Sequence, residues 1–228
     1  FTPVQKAISY SMTSFFTTGG IRGGKKNLDK FYPRSFNMGI RRDVYQQLEG
    51  FSAMRFGEDI DFSIRIFKGG YRCRLFPEAW VWHKRRTDFR KFFRQVYNSG
   101  IARINLYKKY PESLKLVHLL PMVFTVGVLF LLLLFIVGIV LGATVLRHCN
   151  QPFAGMICGV ALLPLVLYSL IIFVDASRQY NSLWIGLLSI RAAFTQLMGY
   201  GFGFIEAWWK RCVRGKSEFS AFEKTFYK

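Results

Sequence analysis

The chain has 228 residues, with 32 Lys and Arg against 13 Asp and Glu, giving a formal charge of +19. Hydrophobic residues make up 51% of it, including 24 Phe. That balance excludes an acidic or disordered chain. The positive surplus suits nucleic acid, anionic lipid or a phosphorylated substrate, but no nucleic-acid-binding motif accompanies it, so no nucleic-acid partner is expected.

Along the chain, Ala7 to Phe16 reads as helical. The stretch Thr17-Thr18-Gly19-Gly20-Ile21-Arg22-Gly23-Gly24-Lys25-Lys26 follows. Two readings stand for it: a solvated linker, or a loop that closes on a phosphate with backbone N–H groups and Arg22 as donors. Ser35 to Ile40 reads as a short strand. Arg42-Asp43 opens a helix that stops at Gly50, and Gly57 leads into a second that ends at Gly69-Gly70. Tyr71–Phe76 and Ala79–Trp82 are strand candidates separated by Pro77, with His83 directly after.

Residues 88–115 change character. Phe89, Phe92, Phe93, Val96, Tyr97, Ile101 and Ile104 recur at helical spacing, with Arg90, Lys91, Arg94 and Arg103 at other positions. This is an amphipathic basic helix, read here as lying in a membrane interface. Leu116 to Leu146 and Pro152 to Val174 carry no charged residue, and each exceeds the roughly 20 residues a span requires. Ser182 to Ile205 is apolar but contains Arg191 and Gln196. With the basic block before Leu116 on the cytoplasmic side, a third span would carry the basic tail outside, against the positive-inside tendency. The third segment is therefore expected to lie in the interface or to re-enter. The four cysteines, Cys73, Cys149, Cys158 and Cys212, show no metal-finger spacing and read as small buried hydrophobes.

Acids are scarce, yet Glu58, Asp59 and Asp61 fall within four residues. Three roles fit them. Acids in a first helical turn favour the helix dipole. One held at a loop–helix junction suits a general base. Completed by His83, they suit a divalent cation such as Mn²⁺.

Several ordered stretches carry a resemblance. They are Asn37-Met38-Gly39-Ile40, Gly50-Phe51, Gly57-Glu58-Asp59-Ile60-Asp61, Gly69-Gly70-Tyr71-Arg72 and Pro77-Glu78-Ala79-Trp80-Val81-Trp82-His83. In this order and spacing, over roughly residues 17–110, they resemble the C-terminal half of a family 2 glycosyltransferase of the GT-A fold. The Thr18-Gly19-Gly20 loop and the apolar helices resemble membrane-bound transferases of bacterial exopolysaccharide, of the succinoglycan type among others.

The resemblance implies an α/β fold, the C-terminal half of a nucleotide-diphospho-sugar transferase domain, followed by transmembrane α-helices. Residues 1–87 would belong to the catalytic domain, 88–115 to the interfacial helix, 116–209 to the membrane region and 210–228 to a basic cytoplasmic tail. Asp59 matches the family's catalytic base, with Glu58 positioning the acceptor or Asp59, and Asp61 is read as a helix cap. Arg94, Gln95 and Arg103, together with Arg22, are the expected contacts to the diphosphate and acceptor, and His83 the expected metal ligand. The Trp of the processive relatives' Gln-x-x-Arg-Trp motif has no counterpart after Gln95, which favours transfer of a single sugar.

The implied partners are a nucleotide-sugar donor, a polyprenyl-linked or polysaccharide acceptor, and membrane lipids. The implied site is the bacterial inner membrane, multi-pass, with the catalytic part cytoplasmic. Residues 1–35 hold only Asp29. The family's nucleotide-binding half and the main ligands of its Mg²⁺ or Mn²⁺ are thus expected in an N-terminal half that this chain lacks, and the chain alone is expected to be inactive. The alternative is a non-catalytic membrane anchor or assembly subunit whose basic face binds lipid or polymer.

Overall fold

In a computed structural model of the chain, residues 1–19, 33, 35–76, 78–79, 81, 84–143, 151–218 and 220 are described. Helix starts follow local chemistry. Thr2 accepts from the Gln5 backbone N–H while Gln5 reaches back to Thr2, a capping box that opens α1 (Pro3–Thr13). A short α2 (Phe15–Thr18) ends at Gly19, which has a positive φ. α3 (Arg42–Gln47) and α4 (Glu58–Lys68) flank the loop that leads to the acidic cluster. Asp88 accepts from the Lys91 N–H and opens α5 (Phe89–Lys109). α6 (Leu120–Ala143), α7 (Gln151–Tyr180) and α8 (Leu183–Trp208) follow, and a π-helical turn, Trp209–Val213, closes the series.

The expected α/β half-domain is not found: there is no strand among the described residues. Ser35–Asn37 forms a single 3-10 turn. Residues 71–76 form neither helix nor strand. A strand needs a neighbour with which to exchange ladder hydrogen bonds, and none of these segments has one. Where pairing was expected, the Asn37 side-chain amide donates to the Ala79 carbonyl, 3.1 Å away. Trp80 and Trp82 lie outside the described residues.

The packing centres on α5 and α8, which run parallel. Val96 lies against Gly199, Tyr97 against Gly203, and Gly100 against Tyr200 and Phe204. Most of the aromatic face of α5 is therefore covered by protein, while Phe93 stays exposed. Ile101 and Ile104 pack with Phe204 and Ala207, while Phe92 and Val96 pack with Ile8 and Met12 of α1. α6 and α7 are long and apolar enough to cross a membrane. They pair closely at Gly138, beside Cys158 and Ile157, yet their outer surfaces stay bare: Val126, Phe130, Val160 and Val166 are exposed.

α8 meets this pair near the start of α6, at Pro121 and Thr125, and along the last part of α7, at Phe173 and Ser177. On α1, the fully buried Tyr10 donates its hydroxyl to Asp175 of α7 at 2.6 Å. Asp175 to Tyr180 continue α7, and the connection to α8 is only Asn181, with φ 47°, and Ser182, which caps α8.

Candidate functional site

The site is built on α4. Gly57 occupies its N-cap position with φ 88°, a left-handed conformation that L side chains avoid. A Cβ there would sit 3.3 Å from Leu106 Cδ1 and 3.4 Å from Ala102 Cβ. The glycine thus supplies both the turn and the close approach of α4 to α5. Glu58, Asp59 and Asp61 occupy the first turn, where the helix dipole favours negative charge.

The three acids have different surroundings. Asp61 is fully buried. It accepts from Ser52 Oγ at 2.7 Å, Tyr110 OH at 2.9 Å and Arg65 Nε at 3.0 Å, and Lys109 Nζ lies 2.6 Å away. Burial pushes its carboxyl up, but hydrogen bonds from Lys109, Ser52 and Tyr110 outweigh that and hold it below the usual carboxylate range. Arg65 extends the network by donating to the carbonyls of Leu48 and Gly50. Asp61 is therefore not the helix cap expected from sequence. It is a buried ionic anchor joining α4, the loop before it and the end of α5.

Apolar contacts reinforce the anchor. Ile64 packs with Leu106 and Tyr110. Phe62 is fully buried beside the rings of Tyr45 and Phe51. On this base Glu58 and Asp59 are half-buried neighbours at the helix start. Asp59 Oδ1 accepts from the Ile60 N–H at 2.8 Å, and its carbonyl accepts from Ser63 Oγ at 2.7 Å.

The other expected site residues are dispersed. α4 meets α5 at Ala102, Leu106 and Tyr110. At 1.5 Å per residue, Arg94 lies about 18 Å along α5 from Leu106. Arg94 is exposed, and Gln95 Oε1 is occupied by Arg86 Nε at 3.2 Å. Neither is brought to Asp59. Arg103 falls within one turn of the α4 contact, half-buried. Arg22 and His83 lie outside the described residues. Among the described residues no three His, Cys, Asp or Glu side chains gather to hold a metal, and the oxygens of Asp61 are already engaged. The described residues thus do not form a metal site.

Sequence reasoning missed Ser52, Arg65, Lys109 and Tyr110. One signal was available: Asp61 and Arg65 stand four residues apart on a predicted helix, the spacing of an intrahelical ion pair.

Together these features define a helical protein with two helices of membrane-crossing length and an acid-bearing helix docked on a third. The model of glycosyl transferase family group 2 matches residues 35–205, an interval that takes in α4, both long apolar helices and nearly all of α8. The chain belongs to this family. It is similar to the probable glycosyltransferase YdaM of Bacillus subtilis (strain 168), 32% identical over 59 residues, which is 26% of this chain and 14% of that protein. No solved structure matches it.

Proposed function

We propose that this chain is part of a membrane-anchored inverting glycosyltransferase, moving a sugar from a nucleotide-sugar donor to a lipid-linked or polysaccharide acceptor in cell-surface glycan synthesis. The observation that carries the reading is the placement of Glu58 and Asp59. They sit side by side at a helix start that a glycine turn and a buried ionic anchor hold rigid, within the interval that matches the family.

Asp59 acts as the base. The acceptor hydroxyl gives its proton to the Asp59 carboxylate while its oxygen bonds to the anomeric carbon. The bond from that carbon to the nucleotide diphosphate breaks on the opposite face, and its electron pair leaves with the diphosphate. Glu58 orients the acceptor. A divalent ion serving the diphosphate takes its ligands from outside the described residues. α6 and α7 anchor the protein in the membrane, and α5 with α8 sets the acid-bearing helix at headgroup level, the basic surface of α5 facing anionic lipid. The inner membrane of a bacterium, with the acids on the cytoplasmic side, is the location this arrangement suits.

The test is Asp59→Asn in the full-length protein, assayed for sugar transfer and for donor binding. Transfer is expected to fall by at least a hundredfold with donor binding nearly intact. Undiminished turnover overturns the assignment and favours the rival reading, a non-catalytic anchor or assembly subunit.

A further inference from the structure

Beside the Asp61 anchor, whose partners Ser52 and Lys109 line it, a cleft of about 450 Å³ opens between the loop at Ser52, the end of α5 and the chain after α8. Ser52, Asn105, Lys108, Lys109, Arg211 and Glu218 line it. Its volume is in the range of small-molecule sites.

Asn105 is the informative residue. It is 2% exposed, yet neither its Nδ2 nor its Oδ1 has a hydrogen-bond partner. A buried amide left unsatisfied at both ends is costly, and this one borders an open cleft. Its complement is a group that accepts from Nδ2 and donates to Oδ1, which is what adjacent hydroxyls do.

The charges narrow the choice. Lys109 is committed to Asp61. Lys108 and Arg211 remain as cations; Arg211 Nη1 donates to the Lys216 carbonyl at 2.9 Å, which positions the guanidinium, while its Nε is buried without a partner. Against them stands Glu218, whose Oε1 accepts from the Arg55 backbone N–H at 3.2 Å. Carboxylate and amide acceptors beside two cations do not suit a bare inorganic anion, which has little to donate. They suit a molecule with several hydroxyls and one anionic group.

We propose that this cleft binds a negatively charged sugar unit, its hydroxyls held by Asn105 and Glu218 and its anionic group by Lys108 and Arg211. The choice of a sugar rests on the glycosyltransferase reading. The cleft then selects an acidic residue of the acceptor glycan, and Lys109, bonded to Asp61, links it to the helix that carries Asp59.

The experiment is calorimetric titration of the full-length protein in a non-ionic detergent with glucuronate, glucose 1-phosphate, glucose and inorganic phosphate. Glucuronate or glucose 1-phosphate should bind at least tenfold more tightly than glucose and than phosphate; which of the two binds better distinguishes a carboxylate from a phosphate as the anionic group. Asn105→Ser and Arg211→Gln should each weaken that binding at least tenfold. Arg211, half-buried in the turn after α8, keeps the test informative if the buried Asn105 variant fails to fold. No binding by either charged sugar, equal binding by phosphate, or unchanged affinity in Arg211→Gln overturns the proposal. Asp59→Asn should bind as the parent does, so loss of transfer in that variant and loss of binding in the cleft variants are read separately.

Discussion

The hydroxyl of Tyr110, which closes α5, donates to the Asp61 carboxylate on α4 across 2.9 Å, and both side chains are buried. The bond joins residues 49 positions apart and fixes the acid-bearing helix to the central helix pair. Tyr110→Phe keeps the ring against Ile64 and Leu106 but deletes a hydrogen bond to a charged acceptor. It should lower stability by about 1.5–3 kcal/mol. Asp61→Ala should lower it further, by about 3–5 kcal/mol, because Arg65 loses its charge partner in a partly buried setting. Thermal unfolding in detergent measures both, and an unchanged midpoint in Tyr110→Phe would show that the bond contributes nothing.

The same pair sets a pH dependence at each extreme. The Asp61 carboxyl is held low by its donors, so its contribution is complete above the unfolded value, about pH 4. It is lost as pH falls through the lower folded value. The Tyr110 hydroxyl is pushed up to about 12 by burial and by its bond to Asp61. Its contribution is complete below about pH 10 and is lost as pH rises through the folded value. In Asp61→Asn the stability gap to the parent should therefore narrow below about pH 4. A gap that stays constant from pH 7 to pH 3 would rule out Asp61 as the titrating group.

How far this could be read in advance depends on the range of the interactions. The ends of α4 and the start of α5 were legible because the signals are local: Gly57 before Glu58, Gly69-Gly70, and the change of character at Asp88. α1 was misplaced, since it runs Pro3–Thr13 rather than Ala7–Phe16, its start set by the Thr2–Gln5 capping box. The strands were misread because extended, β-rich segments such as Tyr71–Phe76 say nothing about whether a neighbouring strand exists. Arg94 and Gln95 sat at the right distance in sequence, but one continuous helix carries them about 10–12 Å along its axis from Ala102, the nearest point of the α4 contact. The place of α8 was hidden for the same reason. Gly199, Gly201 and Gly203 are uninformative until α5 and α6 are seen against them, and Arg191, which weighed against a span, rests over the ring of Phe89 at 4.6 Å.

Gly57 links fold to chemistry. Gly57→Ala forces an L residue into φ 88° and sets a methyl 3.3 Å from Leu106. The left-handed conformation alone costs about 1–2 kcal/mol. Relief by shifting the start of α4 moves Glu58 and Asp59 with it. The expected result is a modest fall in unfolding midpoint together with a drop in transfer rate of about a hundredfold, as for a displacement near 1 Å at a reacting centre. Full activity at lowered stability would show that the position of this turn does not matter to the acids.

The close approach of α5 and α8 gives the clearest contrast between glycines. A Cβ on Gly100 would overlap the Tyr200 carbonyl oxygen, and one on Gly203 would overlap the Tyr97 carbonyl oxygen. Both obstacles are backbone, so the clash is relieved only by separating two helices whose interface buries Ile101, Ile104 and Phe204. Gly100→Ala and Gly203→Ala should therefore each cost at least about 1–3 kcal/mol, the usual range for overpacking. Gly127 in α6 and Gly155 in α7 have nothing within 4 Å of an added Cβ. Alanine there meets no obstacle and improves helix propensity, so Gly127→Ala and Gly155→Ala should be neutral or slightly stabilising. Midpoints of the four variants, measured side by side in detergent, separate packing from propensity. If all four behaved alike, the α5–α8 contact would not be what holds the acid-bearing helix in place.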